Sequence, residues 1–173
     1  MKKLYMFKYM TLRDRNPKKV KVKVLLKPKS KPKPKPKQDD IEKDNMLYRK
    51  SKYVKELVPG DFYVKNLNDR MMPLKGKPTI IVYYAHWCPH CHSNEMIELW
   101  EALAESLSKK TDIQTAAFNA DLNNSNREIA ESIGINGFPT IQFSKSQLKS
   151  PVEYTGARDP KNILLFLKEM MKK

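Results

Sequence analysis

This chain is short of cysteine, of long apolar runs and, at its start, of acid. Its only two cysteines, Cys88 and Cys91, stand three positions apart. A fold stapled by disulfides spreads several cysteines along its length, so that class is excluded. A structural zinc site built from four cysteines is excluded by the same count. No stretch approaches the roughly 18–20 apolar residues that span a bilayer. The opening MKKLYMFKYMTLRDR is charged, but Lys8 breaks its apolar run and no small-residue cleavage site follows. It does not read as a secretory signal. In residues 1–37 Asp14 is the lone acid against 15 Lys and Arg. That segment therefore carries nearly all of the chain's net charge of +15, and the remainder is electrically balanced.

A length of 173 residues suits one ordinary domain with extra sequence. Lys19–Leu25 alternates Lys with Val at strand period, but a lone charged strand is marginal. The run PKSKPKPKPK at 28–37 has fixed φ angles and mutually repelling lysines, which make it an extended spacer. Residues 1–52 are accordingly expected to be a basic Lys/Pro-rich arm and linker, largely disordered, and 53–173 a globular domain.

Within the domain, Tyr53–Val58 reads as a short strand. The β-branched and aromatic run Thr79–Tyr84 reads as a strand buried on both faces. After the cysteines, Met96, Ile97, Leu99, Trp100, Leu103 and Leu107 recur at helical spacing, with Trp100 and the methionine as core. Ile113–Asn119 reads as a strand, and Ser125–Ile133 as a helix with Ser125 as N-cap and Gly134 as stop. Two strands, Pro139–Phe143 and Val152–Tyr154, precede a closing helix Pro160–Met171 with Asp159 at its cap. A further helical segment fits somewhere in 66–76. This alternation predicts an α/β sandwich around a mixed sheet.

A strand thus runs into Ala85-His86-Trp87-Cys88-Pro89-His90-Cys91, and the cysteine pair is expected to open a helix. A thiolate is the nucleophile in disulfide exchange, and the positive end of a helix lowers a thiol's pKa. Cys88 takes that position, and Cys91 lies one turn on, within reach of a mixed disulfide. Pro89 fits the first turn, where its missing N–H costs nothing. His90, as donor or cation, would stabilise the Cys88 thiolate and make the disulfide a stronger oxidant.

Trp87-Cys88-Pro89-His90-Cys91 at a strand–helix junction resembles the thioredoxin superfamily. So does Gly137-Phe138-Pro139-Thr140 further on. Glu153-Tyr154-Thr155-Gly156-Ala157-Arg158 before an amphipathic helix is similar to catalytic domains of protein disulfide isomerases. The resemblance covers about residues 53–173. It implies a thioredoxin-like three-layer α/β/α sandwich, Cys88 as attacking nucleophile and Cys91 as resolving thiol. It further implies a cis Pro139, with Phe138 offering its backbone to an extended substrate and Trp87 flanking the site. Arg158 matches an arginine that approaches the resolving cysteine. The redox-active disulfide itself takes the place of a cofactor. The Pro-His dipeptide is that of strongly oxidising periplasmic oxidases. Two positions depart from the family. Val82 stands where the family carries a buried acid that takes the resolving thiol's proton, and Met96 where it carries a kinking proline.

Plainer readings compete. Cys88 to His92 matches the c-type haem signature C-x-x-C-H, but haem leaves the entering strand and Phe138-Pro139 unexplained. His86, His90 and His92 with the cysteines could take up zinc adventitiously, and no functional metal is expected. Asp121 reads as a loop cap. Arg158 is equally a surface partner of Asp159 or Glu153.

The chain is therefore read as a thiol–disulfide oxidoreductase of oxidase or isomerase direction, with protein substrates and a separate redox partner. A thioredoxin-like reductase is the alternative. A non-catalytic thioredoxin-fold adaptor is the alternative of another class. The arm 1–37 would bind nucleic acid or an anionic surface, or serve only as a tether. Without a legible signal segment the expected compartment is the cytoplasm, and the arm would suit a virion or a nucleic-acid location.

Overall fold

A computed structural model of the chain describes residues 45–63, 72–73, 76–145, 148 and 150–172. The arm, with its Lys/Val alternation and proline-spaced run, lies outside the described residues. In chain order the strands are β1 (Val54–Glu56), β2 (Phe62–Tyr63), β3 (Met72–Pro73), β4 (Thr79–Tyr84), β5 (Gln114–Asn119), β6 (Thr140–Ser144) and β7 (Val152–Glu153). The helices are α1 (Asn94–Lys110), α2 (Asn124–Ser132) and α3 (Pro160–Lys172).

β4 is the centre of a mixed sheet of order β1-β5-β4-β6-β7. It pairs parallel with β5 and antiparallel with β6, and β1 runs parallel to β5. All six β4 residues are buried, none more than 1% exposed, as its unbroken β-branched and aromatic run requires. Successive side chains alternate faces. Ile80, Val82 and Tyr84 pack with Trp100 and Leu103 of α1 and with Ile163 and Leu167 of α3. Ile81 and Tyr83 pack with Ile129 and Ala130 of α2. The expected three-layer sandwich is therefore present. Trp100 is fully buried with its indole N–H donating to the Ala116 carbonyl at 3.2 Å. Truncating it to Ala would cost roughly 3–5 kcal/mol.

Several boundaries differ from the sequence reading. The cap of α2 is Asn123, whose side chain accepts from the Asn126 N–H, so Ser125 lies inside the helix. Asn and Ser are comparable caps, and here the helix starts two positions earlier, so that Asn123 meets the first-turn donor. Gly134 does end the helix, at φ 79°. Asp159 caps α3 by accepting from the Asn162 N–H at 3.0 Å. In the 66–76 region the described pair Met72–Pro73 is a strand against β2 and not part of a helix, since Pro73 removes a donor a helix interior needs. Packing also begins ahead of Tyr53. Tyr48 is 2% exposed within the core, and the Leu47 N–H donates to the Tyr84 hydroxyl at 2.9 Å.

Candidate active site

The chain leaves β4 at Tyr84 and enters the cysteine turn at once. The Cys88 N–H donates to the Ala85 carbonyl at 3.1 Å, the Cys91 N–H to the Cys88 carbonyl at 3.1 Å, and the His92 N–H to the Cys88 and Pro89 carbonyls. Ser93 then adopts an extended backbone, and its hydroxyl accepts from the Met96 N–H. This N-cap starts α1 at Asn94. The expectation that the pair opens the helix is thereby corrected. The cysteines sit on the turn before it, and Ser93, not Cys88, occupies the cap position of α1.

Both cysteines are free and buried, Cys88 at 5% and Cys91 at 1% exposure. The Cys88 thiol donates to the Phe138 carbonyl at 3.8 Å. Burial first, and then its hydrogen bond with the Cys88 sulfur, pushes the Cys91 thiol up to about 12. The Ala85 N–H and the Arg158 guanidinium pull the other way, with less effect.

The Phe138–Pro139 bond is cis, as the resemblance implies. An open groove of about 610 Å3 runs beside it, lined among others by Phe138, Pro139, Thr140, Tyr154, Gly156 and Arg158. The Arg158 guanidinium donates to the Pro139 carbonyl at 2.8 Å. Among the described residues it pairs with neither Asp159 nor Glu153, so its geometry faces the site. Gly156 lets the Tyr154 ring pack close against the backbone. A Cβ there would lie 2.6 Å from the Tyr154 hydroxyl oxygen, and that hydroxyl is held by the Ala157 carbonyl at 2.5 Å.

Trp87 is 59% exposed and meets Phe138 edge to face, ring centroids 5.9 Å apart. Its indole N–H donates to Asp121, which also accepts from Arg127 of α2. Partial burial would raise the Asp121 carboxyl, but the Arg127 and Trp87 hydrogen bonds outweigh it and hold the group below the usual range. The loop-cap reading of Asp121 is corrected by this geometry. Its side chain anchors Trp87, and Asn119 supplies the local cap by accepting from the Asp121 N–H.

Pro89 and His90 are exposed on the turn. His90 lines a cavity of about 180 Å3 with Ser93, Glu95, Met96, Leu99 and Arg158. Among the described residues no hydrogen bond joins it to either sulfur. Among the described residues there is also no group of three or more His, Cys, Asp or Glu that could hold a metal ion. None of the described helices is long and apolar enough to cross a membrane.

Strand, cysteine turn, cis-proline loop and trailing helix form one arrangement, and residues 61–169 match the family model described as Thioredoxin. The chain belongs to the thioredoxin family. Among similar proteins, protein disulfide-isomerase erp38 of Neurospora crassa is 32% identical over 117 residues, which is 67% of this chain and 29% of that protein. Protein disulfide-isomerase like 2-2 of Arabidopsis thaliana is 34% identical over 131 residues, 76% of this chain and 26% of that one. The chain thus spans less than a third of the length of these curated relatives. In fold it is similar to the Trx4 domain of ERdj5, with TM-score 0.51 and 20% identity, covering 69% of this chain and 96% of that one.

Proposed function

We propose that this thioredoxin-family chain is a thiol–disulfide oxidoreductase acting on protein substrates through Cys88 and Cys91, in the direction of disulfide formation or exchange. The observation that carries this is the placement of the Cys88 sulfur against the Phe138 carbonyl, at the edge of an open groove, with Cys91 buried behind it. An extended substrate laid along Phe138 and Pro139 brings its own sulfur to Cys88. In the oxidising direction a substrate thiolate attacks the Cys88 sulfur of the Cys88–Cys91 disulfide and Cys91 leaves. A second substrate thiol then attacks the mixed disulfide, which forms the substrate disulfide and leaves the chain reduced. A separate redox partner must re-oxidise the pair.

Two features favour exchange over rapid reduction. The Cys91 thiol, pushed up to about 12, resolves a mixed disulfide slowly, which gives a bound substrate time to rearrange. Val82, apolar and 1% exposed, supplies no acid of its own for the resolving thiol. His90 and Trp87 are assigned the roles of polarising and flanking the site, and Arg158 that of easing Cys91 deprotonation.

Titration of the couple against glutathione tests the direction. A potential well above about −270 mV, thioredoxin's value, supports the proposal, and one near it leaves the reductase alternative. If both cysteines are replaced by Ser and biological function persists, the adaptor reading wins. For the arm, the excess of Lys and Arg in residues 1–37 favours an anionic partner. Its test is salt-sensitive binding to DNA or anionic vesicles that disappears when those residues are removed.

A further inference from the structure

Cys91 must lose its proton before it can resolve a mixed disulfide, yet it is buried away from water. A partly buried carboxylate, Glu56, lies on the same side of the sheet. Glu56 of β1 is in register with Ala117, and Ala117 with Val82 of β4, so the three share one row and one face of the sheet. That face is the one against which Cys88 and Cys91 pack. The half-buried carboxylate is clamped, with one oxygen accepting from the Tyr84 hydroxyl at 2.6 Å and the other from the Tyr48 N–H at 3.0 Å. Tyr48 and Tyr84 stand edge to face, centroids 5.9 Å apart, in the same cluster as both cysteines.

We propose that Glu56 is the proton acceptor for Cys91 in the resolving step, acting through the buried tyrosines. β1 and β4 are separated by two strand spacings, about 9.6 Å, so the transfer is not direct. Tyr48 is the intermediate the fold offers, since its backbone N–H holds the Glu56 carboxylate and its buried ring lies in the same cluster as Cys91. In the step the Cys91 S–H proton ends on the Glu56 carboxylate and the Cys91 thiolate attacks the Cys88 sulfur. The Cys88–Cys91 bond forms, the Cys88–substrate bond breaks, and the substrate leaves as a thiolate. Cys91 sulfur is oxidised and the substrate sulfur reduced. Glu56 touches no sulfur and is therefore a positioning residue. Burial raises its carboxyl to about 6 against the opposing hydrogen bonds from Tyr84 and Tyr48, which leaves it ionised and able to accept at neutral pH. The other charged groups around the relay are Glu101 of α1, which accepts from the Ser51 hydroxyl at 2.7 Å, and Arg158, held at the Pro139 carbonyl.

The inference rests on the thiol-exchange reading, and one experiment separates the two. The reduced full chain is mixed with a chromogenic dithiobis-nitrobenzoate. The first coloured thiolate reports attack by Cys88, and the second reports resolution by Cys91. Absence of the first release overturns the thiol-exchange reading itself. With the first release present, the second should rise through a limb near pH 6 in the wild-type chain. In E56Q it should lose that limb and slow by at least about tenfold at neutral pH, with the first release unchanged as evidence of an intact fold. E101Q should keep the limb. A limb that survives in E56Q, or that vanishes in E101Q instead, overturns the role of Glu56 and leaves the thiol-exchange reading standing.

Discussion

Replacing Glu56 by Gln should make the protein more stable at neutral pH, although it alters a residue clamped by two hydrogen bonds. Folding raises the Glu56 carboxyl from 4.5 to about 6. At 1.36 kcal/mol per pH unit that is about 2 kcal/mol. The raised value means the folded state favours the protonated acid. The associated stability is fully present below pH 4.5 and is lost as pH rises through about 6. Burial drives the rise, and the hydrogen bonds from Tyr84 and Tyr48, which favour the carboxylate, already oppose it within that net value. Gln mimics the protonated acid and does not titrate. Wild type and E56Q should therefore be nearly equal in stability at about pH 4, and E56Q should lead by about 2 kcal/mol at about pH 8. Urea unfolding of both proteins, kept reduced, measures this, with equal slopes required for a two-state comparison. Other titrating groups cancel in the difference when they lie away from Glu56. A difference that does not change with pH, or a less stable E56Q at pH 8, would refute the reasoning.

Three further outcomes are expected. D121A frees the Trp87 indole and the Arg127 guanidinium. It should cost about 1 kcal/mol and shift the Trp87 emission, a change that must be absent in a W87F background. G156A drives a Cβ into the Tyr154 ring and should destabilise by about 1–2 kcal/mol. The cost should shrink when Tyr154 is also truncated, and full additivity in that double-mutant cycle would contradict the steric account. R158Q removes a cation that eases Cys91 ionisation. Alkylation of Cys91 in a C88S background should slow by up to about fivefold at low salt and less at high salt, and an unchanged rate would remove Arg158 from the site.

The layers of the fold were legible wherever burial imposes a period. Thr79–Tyr84 declares a two-faced buried strand, and Trp100 and Leu103 declare the inner face of α1, because an apolar stripe must be covered. The candidate site was legible through Cys88, Cys91 and Pro139, whose residue types and spacing are unusual in any other context. What stayed hidden depends on partners distant in the chain. Asp121 holds Trp87 across 34 positions, and nothing local distinguishes it from an ordinary loop aspartate. The separation of the cysteine turn from α1 depends on Ser93 taking an extended backbone, a choice that competes closely with continuing the helix. Glu56 did leave a trace. It shares strand parity with Val54, so an inward Val54 implies an inward Glu56, but only the pairing of β1 with β5 shows what that acid lies above.

The central claim, that Cys88 exchanges disulfides and Cys91 resolves them, is tested most directly by trapping. The C91S chain, incubated with a disulfide-containing protein, should accumulate a reductant-sensitive mixed disulfide through Cys88, and the C88S chain should accumulate none. An adduct through Cys91 in the C88S chain, or none through Cys88 in the C91S chain, would contradict the account.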